Sequence, residues 1–297
     1  MAPPPIIRSF DSRADYDACV QLQRETWGED FVDVVPATIL MVSQRVGGVS
    51  AGAFDADGRL LGFVFGISGI RDGELAHWSD MLAVRPEARG AGLGKRLKHF
   101  QRDQLLERGI RRMLWTYDPL VARNANLNLN SLGARPVEYV VNMYGDTRSA
   151  LHAGLDTDRF IVEWRLDRQA PVGAEPAAGT APTGSASRLE GTGTTAVVDP
   201  DWFARERPLP ADPCVRVAAP ADIDGIKGAD PAGARAWQQA QRRALTWYLA
   251  NGYRVSGFEH RRPPDDSHYL VTTAPSPATG TPASAGESSG SPAMDDR

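Results

Sequence analysis

The segment Arg89-Gly90-Ala91-Gly92-Leu93-Gly94-Lys95 is where the sequence first offers chemistry. An apolar run, Leu82-Ala83-Val84, leads into it through Arg85 and Pro86, and a helical pattern with Leu93, Leu97 and Phe100 on one face follows. Peptide N–H groups at a helix start have no intrahelical acceptor, and glycines let a ligand approach them closely. Lys95 adds a positive charge, so the arrangement suits a phosphate or a diphosphate. A tight turn with no ligand has the same local pattern, and context must decide between the two. A Walker loop would need Gly where Arg89 stands and Ser or Thr where Arg96 stands. A dinucleotide fingerprint would follow the first strand of a βαβ unit, whereas this loop follows the fourth strand of a meander.

The elements that must carry this loop are legible in the flanking pattern. A strand is expected over residues 6–10, then a helix capped by Ser12 and running to about Trp27, and a second helix over 36–45. Two β-rich runs, 49–54 and 59–67, are joined by Asp55-Ala56-Asp57-Gly58, whose Asp-Gly ending marks a hairpin. A further strand covers 74–84, and the helix after the glycines ends at Gly109 as its C-cap. Strand 113–117, helix 123–132 and strand 136–144 complete the order β-α-α-β-β-β-α-β-α-β. That order predicts an α/β (α+β) chain with a mixed sheet flanked by helices.

The chain has 297 residues, formal charge -4 and two cysteines, Cys19 and Cys214. Its acidic balance lacks the basic footprint of a nucleic-acid binder. The cysteines form no CxxC or Cys/His cluster, so neither a disulfide framework nor a metal site is expected, and a reducing cytoplasm fits. No signal-peptide pattern opens the sequence, and no stretch approaches the roughly 20 apolar residues of a membrane span. Residues 169–195 and 274–297 are dominated by Ala, Gly, Pro, Ser and Thr, a composition that buries too little surface to offset ordering entropy. They are expected to be a disordered linker and a disordered tail, dividing a domain at 5–168 from a smaller one at 196–273.

With these residues in view, Leu82-Ala83-Val84, Pro86 and Arg89-x-x-Gly92-x-Gly94 resemble the acyl-CoA motif of the GNAT superfamily of N-acyltransferases, over roughly residues 5–168. The resemblance implies a GNAT-like fold and acetyl-CoA as co-substrate, with no metal. It also implies that Arg89, Gly90, Ala91, Gly92, Leu93, Gly94 and Lys95 hold the CoA diphosphate. The main chain of Leu82, Ala83 and Val84 would receive pantetheine, an amide near Leu82 would polarise the thioester carbonyl, and Asn128 would bond the pantetheine arm. A narrower match, Trp115-Thr116-Tyr117-Asp118-Pro119-Leu120 with Arg123-Asn124-Ala125, Leu132-Gly133-Ala134, Tyr144-Gly145, Thr157-Asp158-Arg159-Phe160 and Glu163-Trp164, looks like a little-characterised subgroup of predicted acetyltransferases.

Within that resemblance the acid position, a Tyr in many members, is Leu129, which has no hydroxyl. Tyr117 is the expected substitute; Tyr144 is another by type, and aromatic packing is the competing role for both. An amine acceptor must lose a proton before it attacks, and Asp80, on the strand parity of Leu82 and Val84, is the expected base in place of a His; a solvated strand carboxylate is its plain alternative. His77, Glu74 and Glu25 with Trp27 are lesser candidates for the cleft, and Asp118, Arg123 and Asn124 suit turn and cap chemistry equally. Cys19, on an amphipathic helix, does not suit a nucleophile.

The C-terminal body reads as strand 214–218, a helix opened by Asp222, a long helix over 232–251 with Trp237, Ala240, Ala244 and Trp247 on one side, and a hairpin of 253–258 with 268–273. This β-α-β-β unit lacks a glycine loop, so it is expected to pack on the first domain rather than bind CoA. The activity expected is acyl transfer, of acetyl in the first instance, from CoA to a small-molecule or peptide amine in a ternary complex, by a monomer or homodimer. The alternatives are a non-catalytic CoA-binding regulatory module, or an acyltransferase with a longer acyl donor.

Overall fold

The computed structural model of the chain describes residues 3–145, 154–167 and 195–273. The stretches expected to be a linker and a tail fall almost wholly outside the described residues. The first body runs β1 (Ile6–Ser9), α1 (Arg13–Trp27), α2 (Ala37–Arg45), β2 (Val49–Phe54), β3 (Leu60–Arg71), β4 (Glu74–Val84), α3 (Leu93–Glu107), β5 (Arg112–Tyr117), α4 (Ala122–Ala125), β6 (Arg135–Val140) and β7 (Arg159–Arg165). Its strands form one mixed sheet in the order β1-β2-β3-β4-β5-β7-β6, with β4 and β5 the parallel pair.

Local chemistry explains several boundaries. Ser12 caps α1, its hydroxyl accepting from the Asp15 amide at 3.2 Å. Asp15 in turn takes a bidentate contact from Arg8 on β1, at 2.6 and 3.0 Å, which ties the first helix to the sheet edge. The expected helix over 123–132 is instead the short α4 followed by a π-helical turn, Asn126–Ser131. The alternating Asn126, Asn128 and Asn130 are weak helix formers, and the wider turn leaves the Asn128 carbonyl to accept from the Ala134 amide at 2.9 Å. The strand expected over 136–144 stops at Val140, and β7, absent from the expected order, inserts between β5 and β6. Its Phe160, Val162 and Trp164 alternate inward, so the sheet gains a strand where sequence order suggested none.

The sheet has two covered faces. Against one, α1 and α2 bury Tyr16, Cys19, Leu22 and Leu40 on Phe10, Phe63, Phe65 and Ala83. Against the other, α3 and α4 bury Leu93, Leu97, Leu105 and Ala125 on Val64, Met113, Trp115 and Tyr117.

The second body comprises β8 (Val197–Val198), α5 (Pro200–Ala204), β9 (Cys214–Ala219), α6 (Ile223–Ala229), α7 (Pro231–Ala250), β10 (Tyr253–Glu259) and β11 (Ser267–Thr273), with strand order β10-β11-β9-β8. Asp222 and Asp230 cap α6 and α7 by accepting from Gly225 and Gly233. The two bodies share a continuous core, in which the ring of Tyr269 lies 5.4 Å from that of Phe160. The Tyr269 hydroxyl donates to the Pro119 carbonyl at 2.9 Å, and Arg242 on α7 holds Asp158 at 2.7 and 2.8 Å.

Candidate active site

β4 and β5 are paired only at His77 with Met113 and Trp78 with Leu114. Beyond that point β4 continues to Val84 and β5 to Tyr117 without partners in each other, so the sheet opens into a fork. The glycine loop lies at the open end of the β4 arm. Gly90 and Gly92 have φ of +84° and +71°, which a residue with a Cβ adopts only under strain, and Gly92 is the N-terminal cap of α3. Among the described residues, the amides of residues 90–95 meet no acceptor within the protein; the first amide of α3 with a partner is that of Arg96, bonded to the Gly92 carbonyl. Lys95 is exposed beside them. Arg89 donates through Nε to the Val84 carbonyl at 3.0 Å, which folds its guanidinium over the strand end while the residue stays exposed.

The direction of the β4 backbone follows from its pairing with β3. The Arg85 amide donates to the Leu61 carbonyl at 2.9 Å, and the Ala83 carbonyl lies against Gly62. Strand groups alternate, so the amides of Leu82 and Val84 point away from β3, into the fork. Ala83 turns the other way: its backbone serves β3 and its side chain is buried under α1 and α2.

Asp80 occupies a distinctive place. Gly66 pairs with Ser79 and Phe65 with Met81, which leaves Asp80 as the extra residue of a β-bulge. The expectation that Asp80 shares the face of Leu82 and Val84 is therefore corrected. The bulge resets the alternation, so Leu82 and Val84 pack on the α3 side, whereas Asp80 keeps the parity of Trp78, on the opposite face, and is exposed. Although its side chain is exposed, the low-polarity surroundings of the strand raise its carboxyl above the ordinary range, the Trp78 indole offsets part of that, and the charge of Asp33 adds to it. Two residues past Leu114 on the other arm, Thr116 Oγ1 shares a hydrogen bond of 2.8 Å with the hydroxyl of the exposed Tyr144. Asp80 and the Thr116–Tyr144 pair thus stand on the two lips of the fork, each two residues beyond the last paired position.

Other expected residues fall elsewhere. Tyr117 is enclosed in the core. Its hydroxyl has no well-formed hydrogen bond and lies against Tyr269, and burial pushes the phenol above its usual range. These are the surroundings of a packing residue rather than of a proton donor open to the cleft. Asn128 is buried with Oδ1 accepting from the Trp115 indole at 3.0 Å, leaving only its amide nitrogen for a further partner. Glu25 is ion-paired with Arg85, and Trp27 packs edge-on against Phe63. Glu74 joins Arg112 at the closed end of β4, and Arg123 pairs with Asp224 of α6 at 3.0 Å.

A buried polar chain at the closed end of the fork escaped the sequence reading. Lys98 Nζ donates to Ser79 Oγ at 2.7 Å and sits 4.0 Å from the centre of the Trp115 ring. Ser79 donates to Gln101 Oε1 at 2.8 Å, and Gln101 Nε2 lies 2.9 Å from His77 Nε2. His77 Nδ1 is 2.9 Å from Ser68 Oγ, which donates to the Gly47 carbonyl at 2.8 Å. Burial, with the charges of Lys98 and Arg108, brings His77 down to about 3, so it is neutral. The direction of the chain then assigns its proton to Nδ1. A Cβ at Gly66 would collide with the His77 ring, so the bulge partner has to be glycine. The only sequence signal was a lysine placed next to Leu97, on the buried side of α3.

Among the described residues no group of three or more His, Cys, Asp or Glu is disposed to hold a metal ion, and no helix is long and apolar enough to cross a membrane. No curated protein matches the chain. Among solved structures it resembles the NatC complex bound to Gag peptide and CoA (15% identity, covering 55% of this chain and 99% of that one, TM-score 0.44). It also resembles aminoglycoside 6'-acetyltransferase type Ii (21% identity, 56% and 99%, TM-score 0.44). A third likeness is a phosphinothricin acetyltransferase from Sinorhizobium meliloti in complex with AcCoA (17% identity, 59% and 97%, TM-score 0.43). None of these likenesses transfers an acceptor to this chain. Residues 16–127, which run from within α1 through α4 and hold the fork and its glycine loop, match the Acetyltransferase (GNAT) family.

Proposed function

We propose that this protein is an N-acyltransferase that moves an acyl group, acetyl in the first instance, from CoA to a primary amine. One observation carries the reading: the amides of residues 90–95 have no acceptor among the described residues, and they lie where the open arm of β4 ends. A diphosphate would accept from them at the start of α3, with Lys95 and Arg89 adding charge. Pantetheine would then run down the fork along the inward amides of Leu82 and Val84, with Asn128 Nδ2 on the far wall. At the thioester the Leu82 amide would donate to the carbonyl oxygen as charge develops there.

Asp80 is the base in this reading. The amine, deprotonated by Asp80 directly or through one water, attacks the carbonyl carbon; the C–S bond then breaks and its electron pair leaves with sulfur. The bulge supports this role because it turns the carboxylate to the face opposite α3, from which an acceptor would approach. Its contribution requires the ionised carboxylate, so activity falls as pH drops through its raised value. Leu129 favours the second reading, a CoA-binding module without turnover, since no hydroxyl stands at the position that a Tyr holds in many relatives.

Thermal unfolding with acetyl-CoA, propionyl-CoA and CoA, followed by thiol release over an amine panel, tests both. A ligand at 100 times its Kd stabilises the folded state by about 2.7 kcal/mol. Stabilisation with turnover supports the transferase, stabilisation without turnover on any amine supports the module, and no stabilisation by any of the three rejects the coenzyme site.

A further inference from the structure

Asp80 gives an acceptor nitrogen its partner, and the surface beside Asp80 bears on what that nitrogen is attached to. On the face of the sheet opposite α3, the two N-terminal helices roof β4 only from Met81 outward, where Met81 and Ala83 pack beneath them with Trp27 and Val35. Trp78 stands outside that core. It packs instead with Ala76, Leu114 and Ile161, flanked by Val140 and Met143. An acceptor whose nitrogen meets Asp80 has the helices over the open arm of β4, and the way left to it along the sheet runs back across Trp78.

The strand register shows what lies along that way. Ile67 on β3 is opposite Trp78, and Trp78 is opposite Leu114; partners on paired strands present their side chains on one face, so the three form an apolar row. Thr116 and Ile161, partners in their turn, form the next row, level with Asp80. Leu114 and Ile161 are buried, but Ile67 is 49% exposed and Trp78 half-buried, so the upper surface of the row is open. Glu163, next after Leu114, already holds Arg112 at 2.9 Å, so the far end of the row offers no uncommitted carboxylate to a second cation. Asp33, whose charge reaches Asp80, belongs to the loop between the first two helices and not to this row.

We propose that the acceptor is a monoamine with an aliphatic or aromatic body, Asp80 taking its nitrogen and the row of Ile67 and Trp78 taking the body. The inference rests on the proposed acyl-transfer reading of this fork and narrows its substrate class. Two strand residues span about 7 Å, so a body of roughly four to six carbons, or a ring on a short arm, reaches across Trp78 from a nitrogen at Asp80. Each methylene taken out of water there adds up to about fourfold in affinity. A second ammonium at that distance would lose its hydration over Ile67 and Trp78 and gain no partner.

The test uses the full chain with acetyl-CoA and follows thiol release on propylamine, hexylamine, phenylethylamine and diaminopentane, the last being hexylamine with its terminal methyl replaced by a second ammonium. In the wild type kcat/KM should rise at least about tenfold from propylamine to hexylamine and to phenylethylamine, and diaminopentane should fall at least about tenfold below hexylamine. Trp78→Ala should lower the phenylethylamine-to-propylamine ratio about tenfold. Ile67→Glu, at an exposed position, should lower the hexylamine-to-diaminopentane ratio by about tenfold or more, because it sets a carboxylate where the second ammonium would lie. Each ratio is taken within one variant, so partial loss of folded enzyme cancels, and if Trp78→Ala does not fold, Ile67→Glu decides alone. Equal rates across the wild-type panel, or a preference for diaminopentane, overturn the inference and leave the transferase reading in place. So does a ratio that stays at its wild-type value in either folded variant. No turnover on any amine, with acetyl-CoA still stabilising the fold, rejects the transferase reading on which the inference rests.

Discussion

Trp78 and Leu114 are the last residues through which β4 and β5 remain paired, and beyond them the two parallel strands part. Each arm then carries its own set of groups. On the α3 side, the first residues past the pair are Ser79 and Trp115, joined from above by Lys98. On the other side, two residues on, β4 carries Asp80 and β5 carries Thr116 with its hydroxyl partner Tyr144. The fork therefore has a cationic floor toward α3 and an acidic lip toward α1 and α2.

The glycine loop gives the most direct prediction. Gly92→Ala places a Cβ on a residue with φ of +71°, at a strain of about 1–2 kcal/mol. No protein atom lies within 4 Å of that Cβ, so the cost is conformational. Relaxation of the loop re-aims its amides, and CoA affinity by calorimetry should fall about tenfold while the unfolding temperature drops only slightly. An unchanged affinity would show that these amides do not hold the diphosphate.

Asp80→Asn keeps the shape of the bulge and removes the proton acceptor. The expected result is a fall in kcat of about 100-fold with CoA affinity nearly unchanged. In the wild type the acid limb of kcat/KM should lie above the ordinary carboxylate range, because partial desolvation and the Asp33 charge raise Asp80. A variant with the normal rate and the normal acid limb would reduce Asp80 to a solvated strand carboxylate.

Lys98 makes stability depend on pH with a definite sign. Burial alone brings its ammonium from 10.5 down to about 7. Between those values the unfolded chain binds the proton and the folded chain does not, so this residue makes stability rise with pH across that window. Its penalty is fully present below about 7 and absent above about 10.5. Lys98→Met should therefore be more stable than the wild type near neutral pH, by roughly a few kcal/mol, with the difference fading toward pH 10 in chemical denaturation. A difference that is constant with pH would mean that the site pays no such cost.

The contact between the two bodies is also open to test. Asp158 is 3% exposed and is held by Arg242 and by the Tyr139 hydroxyl at 2.7 Å. Arg242→Met removes the cation and leaves a buried carboxylate short of partners, at a cost of roughly 2–4 kcal/mol. Because Arg242 itself is partly exposed, the lower end is expected. Hydrogen exchange should quicken in β9 and β11 as well as in β7 if the shared core unfolds as one unit, and in β9 and β11 alone if the bodies unfold separately.

Much of this protein is set by short-range pattern. The helix caps at Ser12, Asp222 and Asp230, the Asp-Gly hairpin and the strand leading into Arg89-Gly90-Ala91-Gly92-Leu93-Gly94 are all local chemistry, and a linear reading reaches them because cap and turn preferences act over a few residues. The family resemblance follows from the same kind of signal, a glycine loop at a fixed place in the strand order. What a linear reading missed depends on contacts between distant segments. The bulge that turns Asp80 away from Leu82 exists because Gly66 opposite leaves room beside His77, and strand parity cannot register an extra residue. β7 enters between β5 and β6 by pairing with both, which no neighbour in sequence announces. Tyr117 became a core residue when the second body laid Tyr269 over it, and Lys98 became a buried cation when α3 packed across the fork. By itself the sequence determined where the strand, the glycine loop and the helix that follows them lie; only tertiary packing decided which of the remaining side chains face that fork, because facing depends on segments that meet only when the chain folds.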